Sequence, residues 1–296
     1  MSVWLLRIIW VSLPITAGPA AADALDGWST GPQLVAAVLL WAAWALGVLA
    51  LLAPRPVGLT LVRIVAPPLV VLAAVALLAG AGSPLSAGGA LVTVLVAGAL
   101  AVALPDFSIA AANGVAYGDE RRYPLKTPPA LFVGPVLVAP LFVAAGVAAG
   151  PLLIAADRPI AGALALVVGL PLAGVMARAL HGLSRRWVVL VPAGLVVVDP
   201  LTLPDPVLFL RERIASLQPA DPSERVNANE VLDLRLGARR DSLALTLDRE
   251  TEFLATRRGL RGSVTTSVTD LRFAAVRSRR LLADAGERRI RVAGVV

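Results

Sequence analysis

The chain has 296 residues, 57% of them hydrophobic, and a mean hydropathy of +0.79. Soluble domains are usually about 45–50% apolar, so this composition predicts a membrane protein. The absence of cysteine excludes disulfides and thiolate sites, and a single histidine, His181, excludes a histidine metal cluster. With a net charge of +7, anionic lipid headgroups are a simpler partner than nucleic acid. We predict no metal and no cofactor.

Six apolar stretches of residues 1–183 are each long enough to cross a bilayer core, which takes about 20 helical residues. Turn-prone or charged segments separate them. The predicted fold is a membrane all-α bundle of about six transmembrane helices, followed from residue 184 to 296 by a small mainly-β domain. The predicted spans are about 3–22, 33–53, 59–81, 87–104, 130–155 and 160–180.

The first span has two interpretations. Arg7 before an apolar run, with small residues over 20–24, fits a cleaved signal peptide. Trp4 and Trp10, read as anchors at the membrane interface, favour a retained helix. In both cases the segment 23–32 is expected on the outer side of the membrane.

Basic residues near the spans define an orientation. With the N-terminus inside, nine of them fall on the inner side and Arg158 alone falls on the outer side. The positive-inside rule then places the N-terminus and the C-terminal domain in the cytoplasm, and the protein in a bacterial inner membrane. The nine residues are Arg7, Arg55, Arg63, Arg121, Arg122, Lys126, Arg178, Arg185 and Arg186.

No carboxylate falls near the middle of a predicted span, which disfavours ion-coupled transport. Proline nevertheless interrupts three spans, at Pro67 and Pro68, at Pro135 and Pro140, and at Pro171. Broken helices line substrate sites in many transporters, so a transport or lipid-translocation component is an alternative. The simpler interpretation is a set of kinks satisfied by neighbouring helices.

Small residues recur every four positions on the last two predicted spans. This spacing predicts close helix packing, within one chain or at a dimer seam, and leaves the oligomeric state open. The residues are Gly146 and Gly150 on the fifth span, and Ala165, Gly169, Ala173 and Ala177 on the sixth.

The segment 106–129 is the long inner loop, and it carries a dense polar cluster. Paired acids beside paired arginines suit a phosphorylated group, docking on the C-terminal domain, or a site in a membrane enzyme. The simpler interpretation is a solvated loop whose basic residues fix the topology. No catalytic motif occurs in the chain, so no catalytic residue is assigned. The candidate binding residues are Asp119, Glu120, Arg121, Arg122, Tyr123 and Lys126.

After the last span the hydrophobic period changes to two. Alternating residues over 187–191 and 195–199, around Pro192 and Gly194, predict a hairpin. Alternating leucines over 232–236 and 243–247 predict a second hairpin with one buried face. A short helix is predicted from Ser278, and further strands are predicted over 206–210, 252–256 and 268–275.

The run RRWVVLVPAGLVVVDPLTLPDPVLFLRERIASLQP, residues 185–219, resembles the opening three strands of bacterial pleckstrin-homology-like domains. The whole chain is also similar to multispan membrane proteins of actinobacteria. The first resemblance implies a PH-like α+β domain that binds lipids, peptides or other proteins. It implies scaffolding more than catalysis, and it transfers no site residue.

Three residues at the junction, Arg185, Arg186 and Trp187, are candidate contacts to anionic lipid. The alternative is the ordinary charge cluster that stops membrane transfer. The sequence thus favours a non-enzymatic, membrane-anchored scaffold or regulatory protein whose cytoplasmic domain binds lipid or a protein partner.

Overall fold

The chain divides into two compact units. Residues 1–111 and 134–181 form the helical unit, and residues 112–133 and 182–296 form the sheet unit. The predicted span at 87–104 falls almost wholly outside the residues that the structure describes, as does the end of the span at 59–81. This computed structural model describes residues 3–78, 88–89, 91, 98, 104–133, 135–221, 231–256 and 263–294.

The helices before residue 185 are mostly apolar along their whole length. Four helical stretches of the described chain are long and apolar enough to cross a membrane, namely Val3–Leu25, Thr30–Leu52, Pro129–Ala155 and Pro159–Ser184. Proline stands at the start of several helices, where its missing N–H costs no hydrogen bond. The helices are α1 Val3–Thr16, α2 Gly18–Leu25, α3 Thr30–Leu52, α4 Pro56–Leu78, α5 over 104–113, α6 Pro129–Val133, α7 Pro135–Ala155, α8 Pro159–Ser184 and α9 Ser278–Glu287.

Two tryptophans join α1 to α3. The indole N–H of Trp10 donates to the carbonyl of Trp44 at 3.0 Å, and the indole N–H of Trp44 donates back to the carbonyl of Trp10 at 3.0 Å. A side chain at Gly47 would collide with the Trp10 ring, so glycine permits this approach. Trp10 is 1% exposed, whereas Trp4 is 67% exposed. The interpretation of Trp10 as an interface anchor is therefore wrong, because its ring serves helix packing.

Helices α7 and α8 cross at glycines. A Cβ added at Gly169 would lie 2.9 Å from both the Cα and the carbonyl oxygen of Gly146. The next close approach is two turns earlier on α8 and one turn later on α7. There, a Cβ added at Gly162 would lie 2.9 Å from the carbonyl oxygen of Gly150. Of the small residues predicted to mediate packing, Gly146, Gly150, Gly169 and Ala173 lie in close contacts within one chain. Absent side chains let the two backbones approach directly.

Four of the five prolines expected to interrupt spans lie inside continuous helices. Pro67 and Pro68 are in α4, Pro140 is in α7 and Pro171 is in α8. Pro135 starts α7. A helix can continue past proline when local adjustment or neighbouring groups satisfy the freed carbonyl. Helix interruption, which motivated the transport alternative, is thus not observed at these four interior positions.

The described residues of the sheet unit form two four-stranded sheets. The first has the order β1-β2-β3-β4, all antiparallel, and the second has the order β5-β7-β8-β6, in which β6 runs parallel to β8. A short 3₁₀ turn at Arg211–Arg213 joins the sheets. The strands are β1 Arg121–Pro124, β2 Trp187–Val191, β3 Gly194–Val198, β4 Val207–Leu210, β5 Ile214–Pro219, β6 Val231–Asp233, β7 Ser242–Thr256 and β8 Ser263–Ala274.

The hairpin predicted around Pro192 and Gly194 is present as β2 and β3, and the helix predicted from Ser278 is α9. The second hairpin was predicted wrongly, because β6 pairs with β8 and not with β7. The carboxylate of Asp233 accepts the backbone N–H of Arg235 at 2.9 Å, which turns the chain. Leu236 then adopts a positive φ of 50°, so the alternation over 232–236 does not continue as a strand.

The larger apolar core among the described residues of the sheet unit lies between the two sheets. It receives side chains from both sheets, including Leu190, Phe209, Leu245 and Phe273, and it is closed by Leu281 of α9. Tyr123 and Leu125, from the segment predicted as a loop, belong to the same core. The segment between α5 and α7 is therefore a structural part of the sheet domain.

Candidate functional site

The polar cluster predicted over 119–126 is located on and beside β1. This strand pairs antiparallel with β2, so that Arg121 faces Leu190 and Pro124 faces Trp187. Of the interpretations offered for this segment, docking on the C-terminal domain is what the structure shows. Each of the six candidate residues contacts another part of the sheet unit or of β1 itself, as the contacts below describe.

Tyr123 and Arg121 meet Asp284 of α9. The Tyr123 hydroxyl donates to Asp284 Oδ2, and an Arg121 guanidinium N–H donates to the same oxygen at 3.3 Å. Tyr123 is 4% exposed and Asp284 is 7% exposed. Burial, followed by the hydrogen bond to Asp284 and its negative charge, raises the pKa of Tyr123 above its usual value. The protonated phenol of Tyr123 therefore joins β1 to α9 through its hydrogen bond to Asp284.

Arg122 and Glu120 form a second group at the edge of the sheet. Arg122 donates to Glu120 Oε2 at 3.0 Å, and its guanidinium lies 5.4 Å from the ring centre of Trp187. The side-chain amide of Asn113 makes two hydrogen bonds to the backbone of Arg122, at 2.8 and 3.0 Å. Asn113 thus occupies the backbone groups that an edge strand would otherwise leave unpaired.

Lys126 and Asp119 contact two other surface segments. The Lys126 ammonium donates to Asp241 Oδ2 at 2.7 Å and to the carbonyl of Arg240 at 3.0 Å. This hydrogen bond and the positive charge of Lys126 lower the pKa of Asp241. The backbone carbonyl of Asp119 accepts a hydrogen bond from the Arg288 guanidinium, just after α9. The cluster is therefore distributed over several contacts and does not converge on one point.

Arg186 lies inside the sheet unit and is 2% exposed. Its Nε donates to Asp199 Oδ1 at 2.7 Å and its Nη2 donates to Asp199 Oδ2 at 2.8 Å. The same guanidinium donates to the carbonyls of Lys126 and Leu234, both at 3.1 Å. It therefore joins β2, the segment after β1, the turn after β3 and the segment after β6. In this arrangement the predicted lipid contact of Arg186 is replaced by a core contact, because its donors face protein acceptors.

The two neighbours of Arg186 differ from it. Arg185 is exposed, whereas Trp187 is only 7% exposed and packs with Ala112 and Val189. Of the three predicted lipid contacts, Arg185 is therefore the one with an exposed side chain. Its contact with anionic lipid stays a prediction.

Sequence reasoning missed three residues that organise this region, namely Asn113, Asp199 and Asp284. Asp199 follows β3, and its Oδ1 also accepts the N–H of Leu201 at 3.1 Å. The available signal was weak, since a single carboxylate beside a hydrophobic strand fits both a turn and a buried ion pair. Nothing in the local sequence connects Asp284 to Tyr123.

Within the described ranges, no group of three or more histidine, aspartate or glutamate side chains is arranged to hold a metal ion. No protein-family model, curated protein or solved structure matches this chain.

Proposed function

We propose that the protein is a multi-pass protein of a bacterial inner membrane whose sheet unit is a non-enzymatic scaffold module in the cytoplasm. Four helices of suitable length and apolarity support the membrane location. Two four-stranded sheets followed by α9 support a PH-like module that binds lipid or a protein partner.

The observation that carries this proposal is that the sheet unit is built from two chain segments, 112–133 and 182–296, with α7 and α8 between them. Because β1 and β2 are paired, both segments must lie on the same side of any membrane that α7 and α8 cross. An outward and a return crossing meets this condition. The basic residues at Arg121, Arg122 and Arg185 favour the cytoplasm as that side.

The connections between the strands of the sheet unit and the neighbouring helices are short, which supports a scaffold function. Two residues separate α8 from β2, and one of them, Arg186, is buried. Four residues separate β1 from α6. Short connections of this kind suit a tethered binding module better than a domain that must reach a distant substrate.

The two alternatives are less well supported. A membrane enzyme using 106–129 would need free polar groups, but the side chains of Arg121, Arg122, Tyr123 and Lys126 serve contacts within the sheet unit. A transport component remains an alternative without a specific observation in its favour. Scaffolding therefore has the stronger structural argument.

Orientation is tested by thiol labelling in spheroplasts, since the chain has no cysteine. We expect Arg289→Cys, exposed beside α9, to react with a membrane-impermeant maleimide only after permeabilisation. Arg158→Cys, exposed between α7 and α8, should react in intact spheroplasts and serves as the matched control. Reaction of Arg289→Cys in intact spheroplasts would contradict the cytoplasmic location.

Scaffolding is tested by photo-crosslinking in cells. A photoreactive amino acid at exposed Arg279 or Arg289 should give discrete adducts with lipid or with one protein. The same probe at Trp41, 57% exposed on α3, should give lipid adducts only. Absence of any adduct from the sheet unit, with adducts from Trp41 present, would refute the scaffold.

A further inference from the structure

Strands β2 to β4 of the first sheet are apolar on both faces, whereas β1 places Arg122 beside Trp187 on the outer face. The inner face of the sheet supplies Val188, Leu190, Leu195, Val197 and Phe209 to the core. Its outer face is formed by the alternating residues of β2 to β4, paired in register, and it too is entirely aliphatic beyond Trp187. An antiparallel sheet with one solvated face normally carries polar side chains there. The outer-face residues are Val189, Val191, Val196, Val198, Leu208 and Leu210.

The outer face is buried on β2 and becomes more exposed toward β4. On β2, Trp187 and Val189 are buried and pack with Ala112. On β4, at the other edge, Leu208 is 47% exposed and Leu210 is 44% exposed. On β3, Val196 and Val198 are partly buried against the same cluster, so the uncovered part of this face is the aliphatic edge formed by Leu208 and Leu210 of β4. An exposed aliphatic edge of this kind is a candidate contact surface.

We propose that this outer face lies on the surface of the membrane that holds the protein, with Leu208 and Leu210 among the lipid headgroups and upper acyl chains. The inference rests on the membrane insertion proposed above. Chain length supports it, because Pro124 and Trp187 pair at one end of the sheet and both are within five residues of an apolar helix. Each connection spans at most about 3.6 Å per residue, which limits how far that end of the sheet can lie from the proposed membrane.

Charge at the ends of the face supports the same occupant. Exposed Arg185 precedes β2 at the end joined to the helices, and exposed Arg211 and Arg213 follow β4 at the opposite end. Arginine at both ends favours a sheet lying along an anionic surface, with aliphatic side chains between the basic groups. Asp205 and Glu212 are also exposed there, so apolar burial contributes more than charge to this contact.

Area argues against a second copy of the chain as the occupant. The uncovered face consists mainly of two half-exposed leucines, whereas a specific interface buries about 800 Å² on each partner. A membrane needs no such area, because the short connections already keep the sheet at high local concentration beside it.

The test uses single cysteines in the full chain, reconstituted in vesicles of phosphatidylethanolamine and phosphatidylglycerol. Leu208→Cys and Leu210→Cys carry the polarity-sensitive fluorophore NBD, and lipids with brominated acyl chains quench it on contact. Leu254→Cys is the matched control, since Leu254 is 45% exposed on β7 of the other sheet. Val167→Cys, 71% exposed on α8, reports helix insertion separately.

We expect blue-shifted emission and bromolipid quenching at positions 208 and 210, greater than at 254 and less than at 167. Quenching no greater than at 254 would overturn the inference. A blue shift without quenching would mean a protein covers the face, and a disulfide between copies of Leu208→Cys would mean a second copy does; both overturn it. Absence of quenching at 167 would refute membrane insertion itself.

Discussion

The buried ion pair between Arg186 and Asp199 gives the sharpest stability prediction. The side chains are 1% and 0% exposed, and two N–H groups of Arg186 bind the two oxygens of Asp199. We consider Arg186→Met, which retains most of the side-chain volume and removes the charge. Asp199 would then remain as a buried carboxylate that accepts only the N–H of Leu201 among the contacts described above.

Removing one partner of a buried ion pair generally costs about 3–5 kcal/mol, because the remaining charge stays desolvated. The carbonyls of Lys126 and Leu234 also lose their donor. We therefore expect Arg186→Met to lower the free energy of unfolding of the sheet unit by about 3–5 kcal/mol. Arg185→Met, at the exposed neighbouring position, should change it by less than about 0.5 kcal/mol.

Unfolding of the sheet unit can be followed separately in the cysteine-free chain. Ala244→Cys lies in β7 at a position that is 1% exposed, so its thiol should react with a maleimide only when the sheet unit unfolds. Pulse labelling across a urea series in mild detergent then gives the midpoint for each variant. Adding Asp199→Asn to Arg186→Met removes the unpaired charge and should restore part of the loss.

Equal effects of Arg185→Met and Arg186→Met would refute this reasoning, because burial distinguishes the two residues. A loss below about 1 kcal/mol for Arg186→Met would also refute it, since that is typical of a surface ion pair.

Two further predictions concern helix packing and pH. Gly169→Ala should lower the thermal unfolding midpoint in detergent, at a cost of about 1–3 kcal/mol for overpacking, because its Cβ would lie 2.9 Å from the backbone of Gly146. Gly174→Ala, on the same helix with no atom within 4 Å of an added Cβ, should leave the midpoint unchanged, and equal effects would contradict the crossing. For Tyr123 the folded pKa is raised, so its contribution is complete below the unfolded value of about 10 and is lost as pH rises through the folded pKa. Stability of the sheet unit should therefore fall with rising alkaline pH more steeply for the wild type than for Tyr123→Phe, and parallel pH profiles would contradict the buried phenol.

Local patterns explain what the sequence could predict. The β2–β3 hairpin follows from period-two alternation on either side of Pro192 and Gly194, where Gly194 has a φ of 154°. The start of α9 at Ser278 and the close packing at Gly146 and Gly169 likewise depend on spacing within a few residues. These features require no knowledge of distant contacts.

Long-range contacts explain what the sequence could not predict. β1 is four residues, RRYP, whose partner strand comes more than sixty residues later, so no local pattern marks it as a strand. Arg185 and Arg186 are adjacent, and the local sequence does not indicate which of them is buried. The buried one is identified only by its ion pair with the distant Asp199. β6 ends early because Asp233 turns the backbone, which an alternating leucine pattern does not indicate.

The two-segment sheet unit, and with it the proposal that both segments lie on one side of a membrane, depends on the pairing of β1 with β2. Arg122→Cys with Val189→Cys tests it, because these positions are directly opposite in the register. Opposite residues of antiparallel strands have Cα atoms about 4.5–5.5 Å apart, within the range of a disulfide. Arg122→Cys with Val196→Cys is the control, since Val196 lies one strand further, about 10 Å away.

Mild oxidation of the full chain in membranes, followed by mass spectrometry of proteolytic peptides, identifies the crosslink. We expect a disulfide between positions 122 and 189 and none between 122 and 196. Absence of the 122–189 disulfide, or equal yields for the two pairs, would contradict the account.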